Sequence, residues 1–252
     1  MKNLVKYFTI LIVSLSVISC NTDKKATTNK IEVEEVVKQA PVKSILTAKE
    51  QANMSPDEII GRLKKGNENF VSNNLTQRDH SSQRREAMIG QYPKAIVLSC
   101  VDSRVPVEDV FDLGIGDIFV ARVAGNIENA DIVGSMEFAT AVAGSKVVIV
   151  MGHTACGAVK HAIDNTDAAS MGMNALQNLL EEIKPSMKSI EANGEISSKN
   201  EAFTNNVIHN NALKTVEDIR ISSPKMASLE KEGKIKIVAA VYNMATGKVE
   251  FI

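Results

Sequence analysis

Two short stretches of the chain contain residue types that bind metal ions. In "SCVDSR", Cys100 is followed by Asp102 and Arg104, and in "GHTACG", His153 and Cys156 lie three residues apart. Two thiolates and one imidazole suit zinc, and three protein ligands leave one tetrahedral position open, as in catalytic zinc sites. Asp102 follows Cys100 closely enough to fill that position or to exchange a proton there. The residue types therefore favour a catalytic zinc site.

The same residues admit simpler interpretations. Cys100 and Cys156 could form a disulfide in an oxidising compartment, although a disulfide would not explain why His153 and Asp102 lie beside them in the sequence. Asp102 and Arg104 could form a purely structural ion pair. His161 could shuttle protons, but a histidine at such a position is more often an ordinary surface residue.

Four apolar runs predict the strands that must position these residues. The runs at 95–101, 117–123 and 146–152 are continuous and β-branched, which is typical of strands buried on both faces. A fourth strand is predicted at 234–243, and a turn at Thr246 and Gly247 leads from it to "KVEFI".

Helical stretches alternate with these strands. Ser55, Pro56 and Glu58 give one helix a capping-box start. Further helices are predicted at 83–89, 106–112, 131–143, 155–164, 173–189 and 201–221. The alternation predicts an α/β fold with a central, mostly parallel sheet flanked by helices, and an N-terminal helical arm. Because ligands gather at the carboxyl ends of such strands, Cys100 and His153 fall where a site is expected.

The N-terminus resembles a bacterial lipoprotein signal. Residues 1–19 contain Lys2, Lys6 and an apolar run too short to span a bilayer comfortably, and Cys20 follows directly. We expect residues 1–19 to be cleaved, Cys20 to carry lipid, 20–47 to act as a tether, and 48–252 to form one domain. An ordinary secretory signal with a chance cysteine is the alternative. The predicted location is the bacterial cell envelope, facing the periplasm.

The motifs C-x-D-S-R and H-x-x-C-G together resemble the β-class carbonic anhydrases. Further blocks resemble the same family in the same order: "GQYPKAIVLSCVDSRV", "GDIFVARVAGNI", "GSMEFATAV", "VVIVMGHTACGAV" and "AAVYNMATGKVEF". The resemblance covers roughly residues 55–252, which is too long for a chance motif match. It implies a β-carbonic-anhydrase-like fold and one zinc ion per subunit.

The resemblance also implies a mechanism. Cys100, His153 and Cys156 would bind zinc, and zinc-bound hydroxide would attack CO2 to give bicarbonate. Asp102, kept ionised by Arg104, would accept a proton and orient the hydroxide. In some relatives the aspartate binds zinc itself in a closed state, so Asp102 could be a fourth ligand.

Substrate-binding positions carry over from the same blocks. The resemblance assigns Gln91 to a contact with substrate oxygen, Phe119, Ala124 and Phe138 to the pocket, and Gly157 to a place where a side chain would crowd the metal. In the family a partner subunit completes this pocket, which implies a homodimer, with a tetramer also open. The chain has no tryptophan, so a tryptophan-dependent bicarbonate inhibition is not expected.

The net charge of the chain excludes nucleic acid as a partner. Cleavage of residues 1–19 removes Lys2 and Lys6 from the 29 basic residues and none of the 30 acidic residues, giving a net charge of about −3. A chain with this net charge lacks the positive charge that nucleic-acid binding requires.

Two alternative functions stay open. The chain could be a non-catalytic zinc-binding envelope protein, or an enzyme that uses a related small substrate such as CS2.

Overall fold

A five-stranded sheet lies at the centre of the computed structural model, which describes residues 40–188, 190–191 and 194–252. The strands are β1 (Ala95–Ser99), β2 (Ile118–Arg122), β3 (Val147–His153), β4 (Lys236–Tyr242) and β5 (Val249–Phe251). Their order is β2-β1-β3-β4-β5; the first four are parallel and β5 is antiparallel to β4. The predicted mostly parallel α/β fold is confirmed.

Helices connect the strands and cover both faces of the sheet. They are α1 (Ala48–Asn53), α2 (Pro56–Val71), α3 (His80–Glu86), α4 (Val107–Val110), α5 (Ala130–Glu137), α6 (Gly157–Ile163), α7 (Asn174–Ile183), α8 (Glu201–Ser222) and α9 (Pro224–Lys231). Short 3₁₀ turns cover Ala124–Asn126 and Lys184–Met187, and a π-helical turn covers Phe138–Val142. The capping box of α2 is present, because Ser55 accepts from the Glu58 amide and the Glu58 carboxylate accepts from the Ser55 amide.

Two helix predictions need correction, and two helices were not predicted. The stretch 173–189 is not one helix: α7 ends at Ile183, because Pro185 lacks an amide hydrogen and its ring clashes with the preceding turn. The stretch 131–143 divides into α5 and the π-helical turn. Helices α1 and α9 lie at positions where no helix was predicted.

Both faces of the central strands are buried. Ala95 and Val97 of β1 pack into one hydrophobic cluster, while Ile96 and Leu98 pack into another on the opposite face. This two-sided burial explains the continuous apolar runs in the sequence. Strand β2 lies at the edge of the sheet and is only partly buried.

The last part of the predicted tether is attached to the domain. The Val42 amide donates to the Gln77 carbonyl at 2.8 Å, and the Asp79 amide donates to the Val42 carbonyl at 2.9 Å. The side chain of Gln83 donates to the Ser44 carbonyl at 3.0 Å. Residues 1–39, which include Cys20 and most of the predicted tether, lie outside the described residues. Within the described part of the chain, no helix has the length and apolarity needed to cross a bilayer.

Candidate metal centre

Two neighbouring parallel strands bring Cys100 and His153 to the same edge of the sheet. Cys100 directly follows β1, and His153 is the last residue of β3. The two strands pair in parallel, with Ser99 beside Met151, so their carboxyl ends meet. This is the placement that the sequence predicted.

A tight turn returns the chain so that Cys156 joins them. Ala155 adopts a left-handed conformation with φ +59°, which costs a non-glycine residue about 1 kcal/mol. The turn is held to the end of β4, because the Thr154 amide donates to the Tyr242 carbonyl at 3.0 Å. The Met244 amide donates to the Thr154 hydroxyl, also at 3.0 Å. These bonds fix the spacing between His153 and Cys156.

The three side chains form a compact group of potential ligands. Ligand atoms of Cys100, His153 and Cys156 all lie within 4.8 Å of one another, and all three residues are buried. The two sulfur atoms are 4.0 Å apart, about twice the length of an S–S bond, so the two cysteines are not joined by a disulfide in this structure. Two sulfurs bound to one tetrahedral zinc would lie about 3.8 Å apart, given Zn–S bonds of about 2.3 Å. The spacing therefore fits a shared metal ion.

The imidazole of His153 is oriented as a metal ligand. Its Nδ1 lies 3.0 Å from the Thr154 carbonyl oxygen, which can only accept, so Nδ1 carries the hydrogen. Nε2 is then left with a free lone pair. Nε2 is buried without a hydrogen-bond partner, which is unfavourable unless a cation or donor is bound there. A carbonyl behind the ring is the usual support of a metal-bound histidine.

The two cysteines differ in acidity because they share one hydrogen bond. The contact with Cys156 lowers the pKa of Cys100 to about 4, helped by donation from the Gly125 amide. The same contact, together with burial, raises the pKa of Cys156 above its ordinary value. Amide groups at the start of α6 act in the opposite direction but are outweighed. Without a metal the pair is therefore a thiolate and a thiol, and a bound cation would favour loss of the second proton.

Asp102 and Arg104 form a bidentate ion pair beside this group. Arg104 donates from Nη2 to Oδ2 at 2.7 Å, from Nε to Oδ1 at 2.9 Å, and from its amide to Oδ1 at 3.0 Å. These bonds hold the pKa of the Asp102 carboxyl well below its usual range. Oδ2 of Asp102 also lies 3.9 Å from Nε2 of His153. The predicted dyad is thus assembled at the ligand group.

Two further contacts were not foreseen from the sequence. Arg122, at the end of β2, donates from Nε to the Cys100 carbonyl at 2.9 Å and from Nη2 to the Asp102 carbonyl at 2.5 Å. The Gly125 amide donates to the Cys100 sulfur at 3.4 Å. The "GN" pair at 125–126 is a turn signal that could have drawn attention to the second contact.

The predicted pocket residues do not all lie together. Phe119 and Phe138 meet edge-on, with ring centroids 6.1 Å apart, and line an open groove of about 720 Å³ beside β2. Ala124 begins the 3₁₀ turn that contains Gly125. No described contact joins Gln91, which is exposed, to the ligand group. A Cβ at Gly157 would meet no atom within 4 Å, so contacts within this chain do not require a glycine at this position.

His161 lies on the surface. It is exposed on α6, and its Nδ1 is 3.0 Å from the Thr166 hydroxyl. This placement favours the surface interpretation over a proton shuttle.

Comparison with known proteins gives a consistent result at the level of sequence. The carbonic anhydrase family profile matches residues 95–249. A carbonic anhydrase of Mycolicibacterium smegmatis is 31% identical, over 79% of this chain and 94% of the relative. Carbonic anhydrase 2 of Mycobacterium tuberculosis is 30% identical, over 78% of this chain and 92% of the relative.

Solved structures show a similar fold. The β-carbonic anhydrase CcaA has a TM-score of 0.59 at 22% identity, covering 78% of this chain and 90% of its own. A tetrameric β-carbonic anhydrase from the ascomycete Sordaria macrospora has a TM-score of 0.58 at 18% identity, covering 67% of this chain and 85% of its own.

Proposed function

This chain belongs to the carbonic anhydrase family, within its β class, and we propose that Cys100, His153 and Cys156 bind the zinc ion at which it interconverts CO2 and bicarbonate. One observation carries the assignment of the ligands. The buried Nε2 of His153 has no hydrogen-bond partner and lies within 4.8 Å of both sulfurs. A metal ion would satisfy that atom and neutralise both thiolates.

When bound, zinc acts as a Lewis acid that brings the pKa of a coordinated water toward neutrality. Residues of the chain then orient this water and assist the loss of its proton. Hydration forms a bond between a water oxygen and the carbon of CO2, and it releases one proton. We propose that the Asp102 carboxylate, whose Oδ2 lies close to the metal-facing atom of His153, accepts a hydrogen bond from the reacting water and orients it, and that the released proton passes to solvent. Arg104 keeps the carboxylate ionised, so that it accepts this hydrogen bond without retaining the proton.

The position of Asp102 supports an open metal site rather than one closed by a fourth ligand. Both of its carboxylate oxygens accept from Arg104, and Arg122 holds its carbonyl. A move of the carboxylate onto the metal would break the bidentate pair. The intact dyad also favours catalysis over the alternative of a non-catalytic zinc-binding protein.

We also infer that the enzyme is a homodimer that covers the groove beside β2. Phe138 is 49% exposed and Val142 is 73% exposed, and they lie four residues apart on one helical face. An edge strand and exposed apolar side chains favour association with a second copy. A tetramer is the higher assembly to test. Val142→Glu should reduce the sedimentation coefficient to that of a monomer, whereas an unchanged value would place the interface elsewhere.

We propose that lipid on Cys20 anchors the enzyme to a membrane of a bacterial envelope, facing the periplasm. Support comes from the apolar run in residues 1–19 and the cysteine that follows it. Cys20→Ala should move the protein from washed membranes into the soluble fraction. Retention of the variant on membranes would remove the anchor proposal.

The experiment for the catalytic proposal is stopped-flow CO2 hydration by residues 21–252, with zinc quantified on the same sample. Rapid hydration, lost together with zinc in Cys156→Ala, is expected. Full zinc occupancy without hydration would favour the non-catalytic alternative. CS2 hydrolysis by the same sample, in competition with CO2, would identify a different preferred substrate.

A further inference from the structure

The sulfur of Cys100 accepts a hydrogen bond whose donor is held in an unusual conformation. The Gly125 amide lies 3.4 Å from Sγ, in the 3₁₀ turn Ala124–Asn126. Gly125 has φ +71° and Asn126 has φ +45°, so two successive residues are left-handed. A Cβ on Gly125 would lie 2.6 Å from Cδ1 of Ile183. Glycine is therefore required by both conformation and space.

A side chain from a distant helix fixes this turn. Asn211 of α8 is 1% exposed, and its Nδ2 donates to the Gly125 carbonyl at 2.7 Å. Its Oδ1 accepts from the buried Ser186 hydroxyl at 3.2 Å. The hydrogen bonds thus lead from Ser186 through Asn211 and Gly125 to the metal-facing sulfur of Cys100.

The amide of Asn211 is surrounded by apolar packing. Its neighbours along α8, Val207, Ile208 and Ala212, belong to the hydrophobic clusters beneath the sheet. A buried amide is unfavourable unless its polar groups are bonded, and here the partners come from two other segments. An apolar side chain of similar size could fill the space but could not hold the Gly125 carbonyl.

We propose that Asn211 is a positioning residue that keeps the Gly125 amide aimed at the Cys100 thiolate and thereby limits the charge that this sulfur donates to the metal. The inference rests on the proposed zinc site. A hydrogen bond to a thiolate withdraws electron density from the sulfur, and outer contacts of this kind tune metal affinity and Lewis acidity. Loss of the bond should leave the sulfur more electron-rich.

The test uses residues 21–252 loaded with Co²⁺ and, separately, with Zn²⁺. In Asn211→Leu, the sulfur-to-cobalt charge-transfer band should move to longer wavelength, because a more electron-rich sulfur is more easily oxidised. Zinc affinity, measured by competition with a chromophoric chelator, should fall by about tenfold, the lower end of the effect usual for outer contacts, because the loosened turn no longer positions Cys100 and this outweighs the stronger donation by its sulfur. Ser186→Ala removes only the outer bond, so it should shift the band in the same direction by less.

Thr215→Val is the matched control, because Thr215 is equally buried one turn further along α8. It should leave the band and the zinc affinity unchanged, even if it lowers the melting temperature. An unmoved band with zinc affinity within twofold of the parent in Asn211→Leu would overturn the inference. If Asn211→Leu does not fold, an unmoved band in Ser186→Ala overturns it. A parent protein without any thiolate band would instead overturn the zinc site itself, and the inference with it.

Discussion

Oδ2 of Asp102 lies 3.9 Å from Nε2 of His153, while the same oxygen accepts a 2.7 Å hydrogen bond from Arg104. The carboxylate is therefore close to the metal-facing atom of the histidine but is tied to the arginine. This arrangement supports the proposed role of Asp102, which is to orient the reacting water without occupying a metal position.

Replacing Asp102 by Asn should keep zinc bound and lower CO2 hydration by about a hundredfold, the lower end of typical general acid–base contributions. An amide is similar in size but is uncharged, and one of its two polar ends donates rather than accepts, so it would orient the reacting water less well. Stopped-flow rates and zinc content of the same preparation measure both effects. Parent-level turnover in the variant would leave Asp102 without a catalytic role.

Replacing Cys156 by Ala should release the metal and abolish hydration. The change removes one of the two sulfurs from the buried ligand group, and the remaining ligands cannot complete the site. Zinc content after dialysis against a mild chelator is the measurement. Cys20→Ala is the matched cysteine control and should keep both zinc and activity, because we assign Cys20 to the lipid anchor and not to the metal. Equal zinc retention by the two variants would contradict the assignment.

Replacement by alanine should change the free energy of unfolding in opposite directions at two glycines of α2. A Cβ on Gly66 would lie 1.9 Å from the carbonyl oxygen of Phe111, whereas a Cβ on Gly61 would meet nothing within 4 Å. Gly66→Ala should therefore lower the free energy of unfolding by about 2 kcal/mol or more through overpacking. Gly61→Ala should raise it by about 0.5–1 kcal/mol through higher helix propensity. Urea unfolding of both variants checks the contrast, and similar effects would refute the close approach of α2 to Phe111.

Acid sensitivity should depend on Asp112. Burial alone raises the pKa of this carboxyl, but hydrogen bonds from Arg78, Asn69 and Thr76 outweigh it, so the pKa lies below its ordinary value. The native state thus binds fewer protons than the unfolded state. The stabilisation is fully present above the unfolded pKa of about 3.9 and is lost as the pH falls toward the folded pKa.

Asp112→Asn should consequently lower stability at pH 7 and flatten its decline below about pH 5. The loss at pH 7 should be about 3 kcal/mol, since Arg78 would remain buried without its carboxylate. Urea unfolding at pH 7 and pH 3 measures both. Asp57→Asn is the control, because Asp57 pairs with Lys236 at an exposed site and its loss should matter little. A variant with the parent's acid sensitivity would exclude Asp112 as the cause.

The sequence predicted the part of the site that depends on strand order. Continuous apolar runs located β1 and β3, and their parallel pairing placed Cys100 and His153 together. Strand β1 is shorter than its run at 95–101, because apolar residues continue past the last ladder bond into the loop, whereas β3 is as long as its run at 146–152 but begins one residue later. Short capped helices such as α1 were missed, since six residues give too little periodicity to recognise.

The supports of the site could not be predicted from sequence patterns. Arg122 contacts Cys100 across 22 residues, and Asn211 contacts Gly125 across 86. Such contacts depend on which carbonyl faces which side chain after packing, and a single sequence does not encode that as a spacing. The same limit applies to Gln91, whose assigned role depends on a placement that the motif alone cannot give.

The attachment of the Thr154 turn to Tyr242 has a consequence for biosynthesis. The two sulfurs are 56 residues apart, but the turn between His153 and Cys156 is held by a strand that begins at Lys236, near the end of the chain. A polypeptide emerging from the ribosome has both halves of the ligand group long before it has the strand that holds them. Contacts of such long range form late in folding. Tight metal capture should thus begin only after β4 has joined the sheet, so a molecule that ends before Lys236 should bind zinc weakly.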